Sequence, residues 1–155
     1  MCRSGGPKDS HLGEDDELPD WFRYAVIVVI LHAGVTVIHA AAHFALQILP
    51  PVLDTLFILV VIVALPILSA LFIRTAACAR WSYLIAFAAS FVYGALSHFV
   101  LPGVDNVISI SASAWATIFQ ATTFLLAILE ALGAAIGVGL VVRREPRPES
   151  VLPSA

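Results

Sequence analysis

Long apolar runs separated by short polar breaks form the dominant pattern of the chain after residue 20. The four apolar runs cover approximately residues 22–49, 53–73, 81–101 and 112–142. Each has the roughly 20 residues that a helix needs to cross the hydrocarbon core of a bilayer. The breaks between them contain proline, glycine and charged residues: Pro50, Pro51, Asp54, Arg74, Arg80, Pro102, Gly103, Asp105 and Asn106. The pattern predicts four spanning helices joined by loops too short for a separate soluble domain.

Composition supports a membrane location and excludes one class of partner. The 155 residues are 60% hydrophobic and only 12% charged, and their mean hydropathy is +0.95, far outside the range of soluble domains. Lysine and arginine residues are few and scattered, which argues against binding nucleic acid. We therefore predict an all-α integral membrane four-helix bundle with up-down-up-down order and the lipid bilayer as its main partner.

Basic residues predict the orientation of this bundle. Seven of the eight lysines and arginines fall in the N-terminal tail, the loop between spans two and three, or the C-terminal tail, and Arg23 lies at the N-terminal end of span one. Basic loops favour the cytoplasmic side, so both termini are predicted to be cytoplasmic, in the cell membrane. Residues 1–20 are then a disordered acidic tail, 21–142 the bundle, and 143–155 a C-terminal tail. Cys2 and Cys78 would both stay reduced on that side.

Small residues predict which helix faces pack together. Ala86, Ser90 and Gly94 recur at intervals of four in span three, and Gly133 and Gly137 do the same in span four. Such rows allow close helix approach where lipid supplies no hydrophobic drive for association. These faces should point inward. Span two lacks such a row, so we expect it to be the most exposed to lipid, with a local kink at its internal proline.

Span one carries a stripe of polar residues. His32, His39 and His43 lie within roughly 40° of one another around a helix, and Thr36 and Gln47 extend the same face. A polar side chain that faces lipid costs up to a few kcal/mol. The stripe should therefore face the interior of the bundle or a water-filled cavity.

Depth, at about 1.5 Å per residue, predicts which side chains of other spans meet this stripe. His39, His43 and His98 lie at about 25–31 Å from the cytoplasmic ends of their helices, whereas His32 and Glu130 lie at about 15–18 Å. His98 and Glu130 also share faces with the small-residue rows. Two layers are expected: a cluster of His39, His43 and His98, and a pair of His32 and Glu130.

The three-histidine cluster predicts a bound cofactor. Three imidazoles from two helices form the nitrogen-rich ligand set that Zn, Cu or Fe accept. Haem b is the rival interpretation, because His98 with His39 or His43 could ligate its iron from opposite faces. Redox chemistry or sensing would follow from either. The chain has no Gly-rich phosphate loop, nucleophile elbow or CxxC motif, which argues against the commonest enzyme classes.

The His32 and Glu130 pair supports different hypotheses. A carboxylate inside the membrane is protonated or paired with a positive partner. Such a pair could transfer protons in a small proton-coupled transporter that assembles as a homo-oligomer or in a larger complex. Alternatively, it could only lock two helices together in an accessory, non-catalytic subunit. Asp105, in the outer loop, is expected to be a secondary polar residue that caps or turns the chain.

The segment SFVYGALSHFVLPGVDNV, residues 90–107, resembles part of an uncharacterised family of small four-span bacterial and archaeal membrane proteins with a histidine-rich first span. In that family a Gly-rich third span ends in His-Phe and is followed by Pro and Asp-His-Val. The matching residues here are Gly94, His98, Phe99, Pro102, Asp105 and Val107. Asn106 stands where the family has a second histidine, which removes one potential metal ligand. The resemblance implies no assigned activity.

Overall fold

The computed structural model describes residues 20–142, and all regular secondary structure within this range is helical. Its four helices are α1 (Asp20–Ala45), α2 (Val52–Phe72), α3 (Ala77–Val100) and α4 (Ala114–Val142). Each is long and apolar enough to cross a membrane, which confirms that the chain has four helices of spanning length within residues 20–142. The predictions for the two tails, residues 1–19 and 143–155, lie outside the described residues.

Helix α1 ends at Ala45, four residues before the predicted boundary, because the chain forms a hydrogen-bonded helix stop there. Gln47 adopts a left-handed backbone conformation with φ 57°. The Gln47 N–H donates to the carbonyl of Phe44 at 3.1 Å, and the Ile48 N–H donates to that of His43 at 3.0 Å. These two bonds form a Schellman motif, in which the left-handed residue is the first one past the helix.

The next two helices meet at a polar contact, and the last one begins at a side-chain cap. Helix α3 begins at Ala77, so Arg80 is helical and its Nε donates to the carbonyl of Ile73 at the end of α2, at 3.3 Å. Ser113 precedes α4 and accepts the N–H of Ala116 at 3.0 Å through its Oγ, as an N-cap does. These contacts account for the ends that sequence pattern placed only approximately.

Two of the helices contain π-helical segments. In α2 the segment is Ile58–Ala64, immediately before Pro66. Proline lacks an N–H and its ring clashes with the carbonyl four residues earlier, so the preceding turn widens and the Leu65 N–H donates to the carbonyl of Val60. In α3 the segment is Leu96–Val100, which includes His98. π-Helical turns of this kind often lie at functional sites.

Helix α4 forms the most extensive contacts, with α3 on one side and α1 on the other. Gly133 and Gly137 are both buried in this packing. A Cβ at Gly133 would overlap the ring of Phe87, and one at Gly137 would lie 2.8 Å from the Cα of Leu84. Glycine is therefore required at this crossing, and the inward direction predicted for the small-residue row of α4 is confirmed.

Helix α2 is the most peripheral helix. Only 17% of its most apolar stretch is buried, compared with 33% for α1 and α4. Its second half, Leu65–Phe72, packs against α3 and α1, whereas its first half, Val52–Ala64, packs little against α1. The low burial expected of span two is confirmed, and α1 and α2 pack little against each other at the end where the histidine cluster lies.

Apolar side chains form two clusters along the bundle. The larger one, centred on Tyr83 and Phe87, fills the half that contains the start of α1. The smaller one consists of Ala42, Val107 and Phe119. The candidate site is built around this smaller cluster.

Candidate functional site

Three imidazole rings meet at the end of α1 and α3. The ring centroids of His39 and His43 are 4.7 Å apart, those of His39 and His98 are 5.2 Å apart, and those of His43 and His98 are 5.8 Å apart. One nitrogen from each ring lies within 4.8 Å of the other two. The structure thus brings together the residues of the predicted outer cluster.

His39 is oriented by a contact between helices. Its Nδ1 lies 2.9 Å from the Oγ1 of Thr122 on α4. The Thr122 hydroxyl has one proton, which it donates to the carbonyl of Ile118 at 2.7 Å, so it accepts the Nδ1–H of His39. The Nε2 of His39 then carries a lone pair, and this buried atom has no hydrogen-bond partner within residues 20–142.

The other two histidines donate to backbone carbonyls. The Nδ1 of His43 lies 3.0 Å from the carbonyl oxygen of Ile48, and the Nδ1 of His98 lies 3.0 Å from that of Asp105. A carbonyl only accepts, so both Nδ1 atoms are protonated. In the neutral rings each Nε2 is left as an acceptor. All three rings therefore hold the same tautomer.

Phe119 on α4 fixes the ring positions from one side. It is fully buried, it stacks on His39 with centroids 4.8 Å apart, and its ring lies 4.9 Å from that of His43 and 5.4 Å from that of His98. The three imidazoles thus share one aromatic ring as a neighbour.

The loop between α3 and α4 folds back onto His98. The N–H of Val107 donates to the carbonyl of His98 at 3.0 Å, and Gln120 on α4 donates to the carbonyl of Val107 at 2.8 Å. Both polar groups of the Asn106 amide form hydrogen bonds with the loop backbone. Its Nδ2 donates to the carbonyl of Leu101, and its Oδ1 accepts the N–H of Ile108, each at 3.0 Å. Asn106 therefore stabilises the loop that supplies the hydrogen-bond partner of His98.

The second predicted layer is also present. The Nε2 of His32 lies 3.4 Å from Oε1 of Glu130, and both side chains are almost fully buried. The ring of His32 also contacts that of Phe87 edge to face, with centroids 5.2 Å apart. This pair connects α1 to α4 within the apolar interior.

The remaining predicted site residues have different surroundings. Thr36 donates to the carbonyl of His32 at 2.7 Å, as a helical threonine commonly does. Gln47 does not continue the stripe, because the helix has already ended and its exposed side chain donates to the carbonyl of Phe44. Asp105 is half-buried; its backbone carbonyl holds His98, and its carboxylate is near enough to act electrostatically on His43.

A cavity of about 280 Å³ joins the two layers. His39, His43 and His98 line one end of it, and Glu130 lines the other. Side chains from all four helices form its wall, and most of the wall between the two ends is aliphatic. An ion held by the imidazoles would therefore be accessible from a mainly apolar cavity.

Sequence reasoning missed the residues that orient the histidines. Thr122 lies eight residues before Glu130, on the same helical face at spacings of four, so its position was open to prediction from the same periodicity. Phe119 gives no such signal, because it is one aromatic residue among many apolar ones. The carbonyl of Ile48 depends on where α1 stops, which the apolar run does not indicate.

Comparison of this chain with protein-family models, with curated proteins and with solved structures finds no match.

Proposed function

We propose that this chain is an integral membrane protein that binds one transition-metal ion through His39, His43 and His98. The observation that carries the proposal is the convergence of three imidazoles that all use Nδ1 as a hydrogen-bond donor. Histidines that bind metals through Nε2 nearly always donate Nδ1–H to a carbonyl, carboxylate or water. The Nε2 of His39 is buried and has no hydrogen-bond partner within residues 20–142. A bound ion would satisfy the lone pair of this atom.

The spacing of the nitrogens fits an ion after a small adjustment. Bonds of about 2.0–2.1 Å in tetrahedral geometry place ligand nitrogens about 3.4 Å apart. One nitrogen from each ring lies within 4.8 Å of the other two, so contraction of at most about 1.4 Å per pair brings one nitrogen of each ring into this range. Rotation of His43 and His98, which are only half-buried, supplies that movement.

Three protein ligands leave a fourth position, which would face the cavity. In zinc enzymes an open position of this kind holds water, and the ion supplies Lewis acidity; Cu or Fe in the same ligand set would supply redox chemistry. Asn106 is not a candidate for the fourth ligand, because both polar groups of its side chain are hydrogen-bonded to the loop backbone. Asp105 lines the cavity and acts electrostatically on His43, so its carboxylate favours a cation near that ring.

Haem b is less well supported than a single ion. Axial histidines lie on opposite sides of a macrocycle, with their nitrogens about 4 Å apart and the porphyrin plane between them. Here His39 contacts His43 and His98 edge to face, and Phe119 packs against all three rings. A porphyrin would have to separate rings that are already in contact.

The proposal places the four helices in up-down-up-down order in the cell membrane, with both ends cytoplasmic. Cys78, which is exposed in the first turn of α3, tests this orientation. In a Cys2→Ser variant, an impermeant maleimide applied to intact cells should leave Cys78 unlabelled, whereas a cysteine placed at the exposed Ser109 should react. Labelling of Cys78 from outside would show that the protein has the opposite orientation.

Metal content tests the central proposal. Protein purified in detergent should contain about one metal ion per chain by mass spectrometry, as expected for a single site, and the variants His39→Ala, His43→Ala and His98→Ala should each lose it. His32→Gln is the matched control, because it changes a buried histidine of α1 outside the cluster. A metal-free wild-type protein that takes up no Zn, Cu or Fe would refute the proposal. A visible absorption band typical of haem would favour the rival cofactor.

A proton-coupled transporter is the second candidate, and the buried contact between His32 and Glu130 favours it. Reconstituted protein should then pass protons in liposomes, and Glu130→Gln should abolish this flux while His98→Ala retains it. If the wild-type protein neither binds metal nor conducts protons, the polar residues serve packing alone, as in an accessory subunit.

A further inference from the structure

The cavity has a polar end at the histidine cluster, a mainly apolar body, and the carboxyl group of Glu130 at its deep end. His43, His98 and Asp105 line the end near the loops, whereas aliphatic residues such as Ile62 and Leu126 line the middle. A long apolar ligand with a polar head matches this distribution, because each part would meet a surface of its own polarity.

The cavity opens sideways, between α1 and α2. The first half of α2 packs little against α1, and the cavity wall there includes side chains that are largely exposed on the outer surface of the bundle: Phe44 is 68% exposed and Leu59 is 55% exposed. In a spanning bundle this surface faces acyl chains. The lateral opening would therefore connect the cavity with the hydrocarbon core of the bilayer.

We infer that the cavity binds the hydrocarbon chain of an amphipathic lipid, which enters through the lateral opening and places its polar end at the histidine cluster. The inference rests on the proposed metal site only for the placement of the polar end. A methylene group fills roughly the 30 Å³ of a water molecule, so a cavity of about 280 Å³ accommodates on the order of nine methylenes. The rest of a longer chain would extend through the opening into the bilayer.

The direction of such a ligand agrees with the arrangement of a bilayer. The histidine cluster lies beside the loops at the ends of α1 and α3, and Glu130 lies deeper, toward the middle of α4. A lipid whose head stays near the membrane surface would direct its chain from the cluster toward Glu130. The substrate class of the proposed metal site would then be membrane lipids, with the bonds near the head group closest to the ion.

Photo-crosslinking in nanodiscs tests the inference. One arm uses phosphatidylcholine with a diazirine in its acyl chain, and the other uses a free fatty acid with the same group. Insertion sites mapped by peptide mass spectrometry should include cavity-lining residues of α3 and α4, such as Gly94 and Ala127. Labelling by phosphatidylcholine would assign the chain to a bilayer lipid; labelling by the fatty acid alone would assign it to a free amphiphile.

Two neighbouring alanines of α1 provide a matched pair of variants. Ala40 lines the cavity at the lateral opening, and Ala41 is equally exposed but is not part of the wall. Ala40→Phe should lower labelling of the cavity residues by roughly tenfold, because a bulky ring overfills the opening. Ala41→Phe should leave labelling unchanged, and both variants should retain metal.

The outcomes separate this inference from the metal proposal. Equal cavity labelling in the two phenylalanine variants, or insertion confined to the outer surface, would overturn the lipid site even if metal is bound. Failure of the metal proposal would have another signature, a metal-free wild-type protein whose cavity labelling still responds to Ala40→Phe.

Discussion

The hydrogen bond between Thr122 and His39 allows the most direct test of how the site is organised. Replacing Thr122 by valine keeps the shape of the side chain and removes the acceptor for the Nδ1–H of His39. Without that acceptor the ring is free to place its proton on Nε2, where it blocks binding of an ion. We expect weaker metal binding with little change in fold.

The size of the effect follows from the role of this contact. Loss of a hydrogen bond that orients a metal ligand typically costs 10–100-fold in affinity, which corresponds to about 1.4–2.7 kcal/mol. Thr123→Val is the matched control. Thr123 is also buried on α4, and its hydroxyl donates to the carbonyl of Phe119 at 2.8 Å, an acceptor that Thr122 also reaches at 3.0 Å. Thr122, in addition, accepts a hydrogen bond from His39 of the cluster.

Competition with a chromophoric chelator in detergent measures the two dissociation constants. The Kd for Zn²⁺ should rise by about 10–100-fold in Thr122→Val and stay within about twofold of wild type in Thr123→Val. Equal values for the two variants would refute the reasoning, because they would mean that the tautomer of His39 does not control the site. Thermal unfolding of both variants without metal checks that neither change disturbs the bundle.

Three further predictions concern packing, the buried pair and the bound ion. Gly133→Ala should destabilise the bundle by about 1–3 kcal/mol, because its methyl group would overlap an aromatic ring of α3. Gly34→Ala, which meets nothing within 4 Å, should stabilise it by about 0.5–1 kcal/mol; chemical unfolding in detergent measures both changes. His32→Leu or Glu130→Leu alone should cost about 3–5 kcal/mol, and the double variant should recover most of this loss in the same assay. Zinc at about 100 times its Kd should stabilise the wild-type protein by about 2.7 kcal/mol in a thermal-shift assay, and a chelator should reverse the effect; His98→Ala should respond to neither addition.

The sequence predicts the fold and the two layers of the site because both follow from simple repeats. Helix length follows from the apolar runs, and the rise of about 1.5 Å per residue places His98 beside His39, and Glu130 beside His32. Each of these pairs is in contact in the structure. Depth and facing direction are therefore sufficient to predict which polar residues meet inside a small bundle.

Other features depend on interactions that a repeat does not encode. Helix α1 ends where Gln47 adopts a left-handed conformation. Glycine and asparagine are the usual residues at such a position, so a glutamine does not predict the helix end. The lateral opening results from how far α2 diverges from α1, and helix crossing angles depend on packing across the whole contact surface. The π-helical turn that contains His98 likewise could not be predicted from the spacing of apolar residues.

The three histidines are held by hydrogen bonds that differ in origin, and this difference bears on whether the cluster serves packing or binding. His43 and His98 donate to carbonyls five and seven residues later, whereas His39 donates to a different helix. A packing role would favour apolar rings like Phe119, since a buried nitrogen without a partner costs about 1–3 kcal/mol. Instead, each of the three rings uses its Nδ1 as a hydrogen-bond donor, which leaves its Nε2 as an acceptor. An ion would remove the cost at His39, and because the tautomers are already set, its binding would require little further ordering of the side chains.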